Sequence, residues 1–151
     1  MRPGSLVAIA ALTVALCSCS SSSSSTSPTP AAGAVTQAIG PEGGKIEVGG
    51  AVVTFPKGAV AASTSVTISV LDTTPEGFVT LSKLFKCEPS GIDFAQPVEM
   101  RMPFTDDGSG GSLFWSSGSD PAFKDLGGKV EGNIMIATVQ HFSSGFVGRK
   151  K

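Results

Sequence analysis

The sequence contains no tyrosine, one histidine and one tryptophan among its 151 residues. Charged residues make up only 15% of the chain, against about 25% in an average soluble domain. The 11 basic and 12 acidic side chains nearly cancel, and they form no Lys/Arg cluster of the kind that nucleic-acid binding requires. One histidine and three scattered cysteines also exclude a typical structural zinc site. The few charges and the 19 glycines argue against helical bundles and coiled coils.

The first 18 residues have the layout of a secretory signal peptide. Arg2 is the only charged side chain before residue 42, and an apolar run follows at residues 6–16. That run is shorter than the roughly 20 residues that span a hydrocarbon core. Next come Leu16, Cys17, Ser18 and Cys19, in an order that resembles the bacterial lipobox. An ordinary signal peptide that happens to contain two cysteines is the alternative.

Cys19 is the predicted lipid-bearing residue. It has an aliphatic residue three positions before it and a small residue directly before it, whereas Cys17 would follow the bulky Leu16. Residues 19–34 are then the lipidated cysteine and a disordered Ser/Thr/Pro tether with a reach on the order of 20 Å. This layout predicts a bacterial lipoprotein on the exported side of the cell envelope. Ser20 after the cysteine favours the outer membrane if the host has one.

Cys87 has no disulfide partner if Cys19 carries lipid and Cys17 leaves with the signal peptide. A lone cysteine in an exported domain is usually a small buried hydrophobe. The apolar residues that flank Cys87 favour this interpretation, and a catalytic thiol is the alternative.

Residues 35–148 are predicted to form one all-β domain, an antiparallel β-sandwich, followed by a short basic tail at 149–151. Apolar and polar residues alternate in short runs, as half-buried strands require, and no window predicts a helix. Glycine and proline separate the runs, and the two Gly-Gly-Lys stretches at 43–45 and 127–129 are predicted hairpin turns. The predicted strands are 45–48, 51–55, 66–71, 81–87, 98–103, 112–115 and 134–139.

Three segments, in the same order as in the family, resemble the ZU-five domain. They are a Gly-Gly turn at 43–44, a strand that runs into Phe55-Pro56-Lys57-Gly58-Ala59 with a Val-Thr-Ile strand after it, and a Pro-Ser-Gly turn at 89–91 that leads to Phe94 and Pro97. The likeness extends over about residues 36–147 and implies a β-sandwich. Animal members of the family mostly bind other proteins, which implies a protein partner. The turn residues themselves are predicted to be architectural, with Phe94 and Pro97 packing at the start of a strand.

The triplet His141-Phe142-Ser143 is the one candidate for chemistry. In some relatives a His-Phe-Ser triplet is the place where the chain cuts itself, and the resemblance implies an N-to-O acyl shift. Ser143 would attack the Phe142 carbonyl carbon, with His141 as general base. The alternative is a single last strand over 139–147, with Phe142, Phe146 and Val147 in the core and His141 bonded to a neighbouring loop.

Three aspartates and the single tryptophan give weaker indications of function. Asp106, Asp107 and Asp120 lie in Gly/Ser-rich loops, where solvated turn residues are the expectation and a calcium site the alternative. Trp115 is expected in the core, with an exposed binding residue as the alternative. No residue set predicts a cofactor, a metal or a small-molecule substrate. The sequence therefore predicts a non-enzymatic, lipid-anchored binding module with an unknown envelope protein as partner, and self-processing at Phe142–Ser143 as the alternative.

Overall fold

The structure is a computed structural model that describes residues 33–117 and 120–151. Within these residues every helix-or-strand element is a β-strand, because short runs rich in Val, Ile, Phe and Thr alternate with glycine and proline breaks. The strands are β1 (Ala34–Ile39), β2 (Gly44–Val48), β3 (Ala51–Phe55), β4 (Thr64–Leu71), β5 (Phe78–Thr80), β6 (Leu84–Glu88), β7 (Asp93–Pro103), β8 (Ser112–Ser117), β9 (Asp120–Gly127), β10 (Lys129–Glu131), β11 (Ile134–His141) and β12 (Ser144–Lys150).

Two antiparallel sheets pack face to face, which confirms the predicted β-sandwich. The seven-stranded sheet has the order β1-β4-β6-β12-β8-β9, with β5 also paired to β12, and the five-stranded sheet has the order β10-β11-β7-β3-β2. Two strands pair with the same side of β12. Ser144 and Gly145 pair with β6, and Gly148 to Lys150 pair with β5. β8 pairs with the other side of β12.

The inward faces of the strands follow the alternation of the sequence. In β3, Ala51, Val53 and Phe55 are buried, and in β4 Val66 and Ile68 have no exposed surface. Residues of both sheets form one continuous core between them. This period of two is what places one face of each strand on the core and the other in water.

A second apolar cluster lies on the outer face of the seven-stranded sheet. Leu113 and Trp115 of β8 belong to the main core, so Phe114 between them points the other way. In β12, likewise, Val147 faces the main core and Phe146 faces outward. Phe146 is therefore fully buried, as predicted, but on the opposite face of the sheet from Phe142 and Val147. The outer cluster is Phe78, Leu84, Phe114, Phe123 and Phe146.

The Gly-Gly-Lys stretch at 127–129 is not a hairpin turn, so that prediction is wrong there. At 43–45 Gly43 closes a tight turn with a bridge to Gly40, but the strands on either side do not pair with each other. Each stretch lies where the chain leaves the seven-stranded sheet for the five-stranded sheet, between β1 and β2 and between β9 and β10. The two-residue hairpin is instead at Gly49 and Gly50, with φ of 56° and 81°, between the paired residues Val48 and Ala51. Two residues with positive φ match the twist of the flanking strands.

The single last strand predicted over 139–147 is also wrong. β11 ends at His141 in the five-stranded sheet, and β12 begins at Ser144 in the seven-stranded sheet. Phe142 and Ser143 are the link between the two sheets, here called the sheet-crossing link. A register shift between Val139 and His141 precedes it and bends the chain out of the ladder.

Four strands were not among the predicted ones: β1, β5, β9 and β10. The predicted strand 81–87 begins only at Leu84. Pro97, predicted to pack at a strand start, is exposed within β7, which begins at Asp93. Residues 149–151, predicted as a basic tail, continue the fold: Arg149 and Lys150 lie in β12, and the Lys151 amide donates to the Gly77 carbonyl at 2.9 Å.

Candidate functional site

The side chain of Phe142 anchors the sheet-crossing link in the core. This residue is 1% exposed, and its ring packs edge-to-face against Phe55 at 5.7 Å and against Phe94 at 4.7 Å between ring centroids. The Phe142 amide donates to the Ile92 carbonyl at 3.0 Å. Phe142 therefore fills the core, as the architectural interpretation of the triplet predicted.

The Phe142 carbonyl oxygen has two polar neighbours. The Gly91 amide donates to it at 3.0 Å, and the His141 Nδ1 lies 3.5 Å from it. A carbonyl oxygen only accepts hydrogen bonds, so the Nδ1 bonds to it only in a tautomer or charge state that carries the Nδ1 proton. Both groups would stabilise negative charge on this oxygen, which is the role of an oxyanion hole.

The Ser143 hydroxyl contacts another serine hydroxyl in strand β8. It is 2% exposed, and its Oγ lies 2.5 Å from the Oγ of Ser116 in β8. The Ser143 carbonyl accepts from the Cys87 amide at 2.8 Å. Ser116 also contacts the Ser144 main chain, with 3.2 Å to the amide nitrogen and 3.2 Å to the carbonyl oxygen.

His141 and Ser143 thus lie at one corner but do not form the predicted base–nucleophile pair. Among the described residues, the hydrogen bonds of the His141 ring reach the Phe142 carbonyl and not the Ser143 hydroxyl. In a state that carries the Nδ1 proton, His141 would polarise the Phe142 carbonyl group, which Ser143 would attack. The neighbouring loop contacts the triplet through the Gly91 amide, which donates to the Phe142 carbonyl. His141 was predicted to bond to a neighbouring loop, but its ring contacts the Phe142 carbonyl instead.

Gly91 and Ser116 were missed by sequence reasoning. Gly91 is recognisable only as a turn residue, and it has a φ of 79°. Ser116 is one of many serines and lies 27 residues from Ser143. Only the pairing of β12 with β6 and β8 brings these two residues to the sheet-crossing link.

Two further candidates are buried. Cys87 is a free thiol with no exposed surface, and burial raises its pKa to about 12. A protonated thiol is a poor nucleophile, so the catalytic alternative has no support from this environment. Trp115 is 2% exposed, and its Nε1 donates to the His141 carbonyl at 3.2 Å, which confirms the core position.

The acidic loop residues act as turn and ion-pair groups. Asp106 accepts from the Gly108 amide at 2.9 Å. Asp107 accepts two bonds from the Arg149 guanidinium, at 2.9 and 2.7 Å, and that hydrogen bonding is the main cause that lowers the pKa of Asp107. Residues 33–117 and 120–151 contain no group of three potential metal ligands. The side chain of Asp120 lies outside the described residues.

An open groove of about 760 Å³ lies at the other end of the sandwich. β12 runs to it from the sheet-crossing link, since β5, which borders the groove, pairs with Gly148 to Lys150. The buried rings of Phe85 and Phe104 line the groove, and the exposed Asp72 and Lys83 form an ion pair of 2.7 Å at its rim. The rest of the lining mixes polar side chains, four threonines among them, with Leu71, Val79 and Leu81.

The walls of this groove are tied together by main-chain hydrogen bonds. The Thr105 amide donates to the Leu81 carbonyl at 2.8 Å, and the Leu81 amide donates to the Val147 carbonyl at 2.8 Å. The Ser82 hydroxyl accepts from the Val147 amide at 2.8 Å. The groove is therefore preformed and does not depend on a ligand to order its loops.

The predicted signal peptide, the lipidation site Cys19 and the tether up to residue 32 lie outside the described residues. Strand β1 starts at Ala34, one residue inside the predicted tether segment. In the part of the chain that the structure describes, no helix is long and apolar enough to cross a membrane.

Comparison with known proteins gives one family. No curated protein matches the chain. The profile of the ZU5 domain matches residues 35–113, which is β1 to the start of β8 and more than half of the chain. The resemblance inferred from sequence reached residue 147, so the His141-Phe142-Ser143 triplet lies beyond the matched segment. The matched length, together with the two-sheet β-sandwich, shows that this chain belongs to the ZU5 domain family.

Proposed function

We propose that this protein is a non-enzymatic, lipid-anchored module of a bacterial cell envelope that binds another envelope protein. The preformed groove bordered by Leu71, Thr74, Leu81 and Phe104 is the observation that carries this proposal. Because Lys83 and Arg149 pair with the two rim acids Asp72 and Asp107, the groove favours an uncharged, partly apolar segment.

The position of the groove agrees with anchoring through Cys19. The Val70 amide donates to the Gly33 carbonyl at 2.6 Å, so the chain from the predicted tether enters the fold beside Leu71, at the rim of the groove. A tether with a reach on the order of 20 Å would hold this end towards the membrane surface. The proposed partner is therefore a protein that lies close to the membrane.

The outer face of the five-stranded sheet is a weaker candidate for the interaction. Its charges compensate one another: Arg101 pairs with Glu99 and Glu131, and Lys129 pairs with Glu131. The hydrogen bond from Lys129, followed by that from Arg101, lowers the pKa of Glu131. A face whose charges pair with each other within the sheet is suited to water and offers little to a partner.

Photo-crosslinking in envelopes of the native host tests this function. A photoreactive residue at Thr73, an exposed position in the groove, is expected to give a discrete adduct that disappears in a Cys19→Ala variant. Thr138, exposed on the five-stranded sheet, is the matched control position and should give none. Equal adducts at both positions would contradict the groove, and membrane partitioning that survives Cys19→Ala would contradict the anchor.

We infer a second candidate function, single-turnover self-processing between Phe142 and Ser143. One observation favours it: the Phe142 carbonyl oxygen is contacted by the Gly91 amide and by the His141 Nδ1. Intact-mass measurement under denaturing conditions is the test. Loss of the nine residues 143–151, abolished by Ser143→Ala, would support self-processing, and an intact mass after prolonged incubation would exclude it.

A further inference from the structure

The hydroxyl of Ser143 lies against the hydroxyl of Ser116. The two Oγ atoms are 2.5 Å apart, and the residues are 2% and 7% exposed. In the described part of the chain, every buried polar side-chain atom has a hydrogen-bond partner. The low exposure of both residues shields this contact from solvent.

The direction of this hydrogen bond follows from the other contacts of Ser116. Its Oγ lies 3.2 Å from the Ser144 carbonyl oxygen and receives the Ser144 amide at 3.2 Å. A hydroxyl donates one proton and accepts on two lone pairs. All three contacts are satisfied together only if Ser116 donates to the Ser144 carbonyl and Ser143 donates to Ser116.

We propose that Ser116 is a positioning residue for the attack of Ser143 on the Phe142 carbonyl carbon. This inference rests on the self-processing function proposed above. As the acceptor, Ser116 fixes the rotamer of Ser143, and this hydrogen bond uses none of the lone pairs of the Ser143 Oγ. Such orientation accounts for a large share of the rate in intramolecular reactions. Gly91 holds the carbonyl oxygen at the same time, at 3.0 Å.

The proposed step balances without any cofactor. A bond forms between the Ser143 Oγ and the Phe142 carbonyl carbon as the bond from that carbon to the Ser143 nitrogen breaks. The hydroxyl proton passes to that nitrogen, which becomes a free amine. Water then hydrolyses the ester to a Phe142 carboxylate and a Ser143 hydroxyl. Ser116 forms no covalent bond in this sequence.

The experiment follows the intact mass of the full chain carrying Cys19→Ala, which keeps the protein free of lipid. Ser116→Ala is expected to slow the release of residues 143–151 by about tenfold or more, because a small misplacement of a nucleophile is costly. Ser116→Thr retains the hydroxyl and should restore the rate. Val53→Ala, a core truncation in the other sheet, is the control for lost stability and should leave the rate unchanged.

Three outcomes would overturn the proposal. Cleavage of Ser116→Ala at the wild-type rate would show that Ser143 needs no positioning by this hydroxyl. A slow Ser116→Thr variant, or an equally slow Val53→Ala variant, would assign the effect to packing or stability. An uncut wild-type chain would exclude self-processing itself, and the role of Ser116 with it. The first two outcomes are seen only in a chain that cuts, so they would overturn the role of Ser116 alone.

Discussion

The indole Nε1 of Trp115 donates a hydrogen bond of 3.2 Å to the main-chain carbonyl of His141. Trp115 belongs to β8 of the seven-stranded sheet, whereas His141 is the last residue of β11 in the five-stranded sheet. The bond therefore ties the two sheets together directly before the chain crosses between them.

Trp115→Phe is expected to lower the free energy of unfolding by about 1–3 kcal/mol. The variant leaves the His141 carbonyl without this donor and removes part of a buried ring. Urea unfolding followed by circular dichroism measures the change, because the variant has no tryptophan fluorescence. Gln140→Ala, at an exposed position of β11, is the control and should be nearly neutral. A Trp115→Phe protein as stable as wild type would show that this bond contributes little.

Phe142→Ala is expected to cost about 3–5 kcal/mol, because it empties a site between the rings of Phe55 and Phe94. Phe142→Leu fills more of that site and should cost clearly less. Chemical denaturation of both variants measures the difference. A neutral Phe142→Ala variant would contradict the placement of this side chain in the core.

Gly145→Ala is expected to be among the most damaging single substitutions in the domain. A Cβ at this position would overlap the Trp115 ring and the Phe114 carbonyl oxygen, both in the neighbouring strand β8. The strand pair would have to separate, and soluble yield and melting temperature should both fall. Gly40→Ala is the matched control, because a Cβ there meets no atom within 4 Å. Similar melting temperatures for the two variants would contradict this close packing.

The Asp107–Arg149 pair predicts a small loss of stability in acid. The hydrogen bond from Arg149 lowers the pKa of Asp107 in the folded state, so the folded protein binds fewer protons than the unfolded chain. The stabilisation is complete above the unfolded pKa of about 3.9 and is lost as pH falls through the lower folded value. The effect is modest because the pair is solvated.

Denaturant midpoints at pH 5.5 and pH 3 measure this contribution. Asp107→Asn should reduce the difference between the two midpoints, and Arg149→Gln should do the same because it removes the other partner. An unchanged difference in both variants would show that the pair does not contribute to the acid dependence.

The burial pattern of individual strands could be predicted from the sequence, but the membership of strands in sheets could not. Alternation in residues 66–70 and 98–102 placed Val66, Ile68, Val98 and Met100 on the core, where the structure has them. The split of the last run between His141 and Ser144 leaves no local signal, because residues 139–147 contain no proline and no pair of glycines that would mark a break. Which sheet a strand joins depends on partners that are distant in sequence.

β9 and β10 were not predicted, for a different reason. All three residues of β10 are exposed, so no apolar face marks it. β9 contains a proline and three charged residues, Asp120, Lys124 and Asp125, and it lies at the edge of its sheet. Edge strands tolerate proline and charge because one side of their backbone has no ladder to maintain.

Only part of the candidate site could be predicted from the sequence. The triplet pointed to His141 and Ser143 because a base and a nucleophile lay at close spacing. The Gly91 amide and the Ser116 hydroxyl, which contact the Phe142 carbonyl and the Ser143 hydroxyl, come from other strands or loops and become neighbours only in the folded chain.

The central place of β12 has a consequence for the order of folding. β12 pairs with β5, β6 and β8, so the seven-stranded sheet cannot close until the chain is complete to Lys150. In a nascent chain that lacks this strand, Phe114 and Trp115 have lost the strand with which they pair. Apolar surface exposed in this way keeps a chain incompletely folded and accessible to chaperones. Nascent chains that do not yet include β12 should therefore stay unfolded.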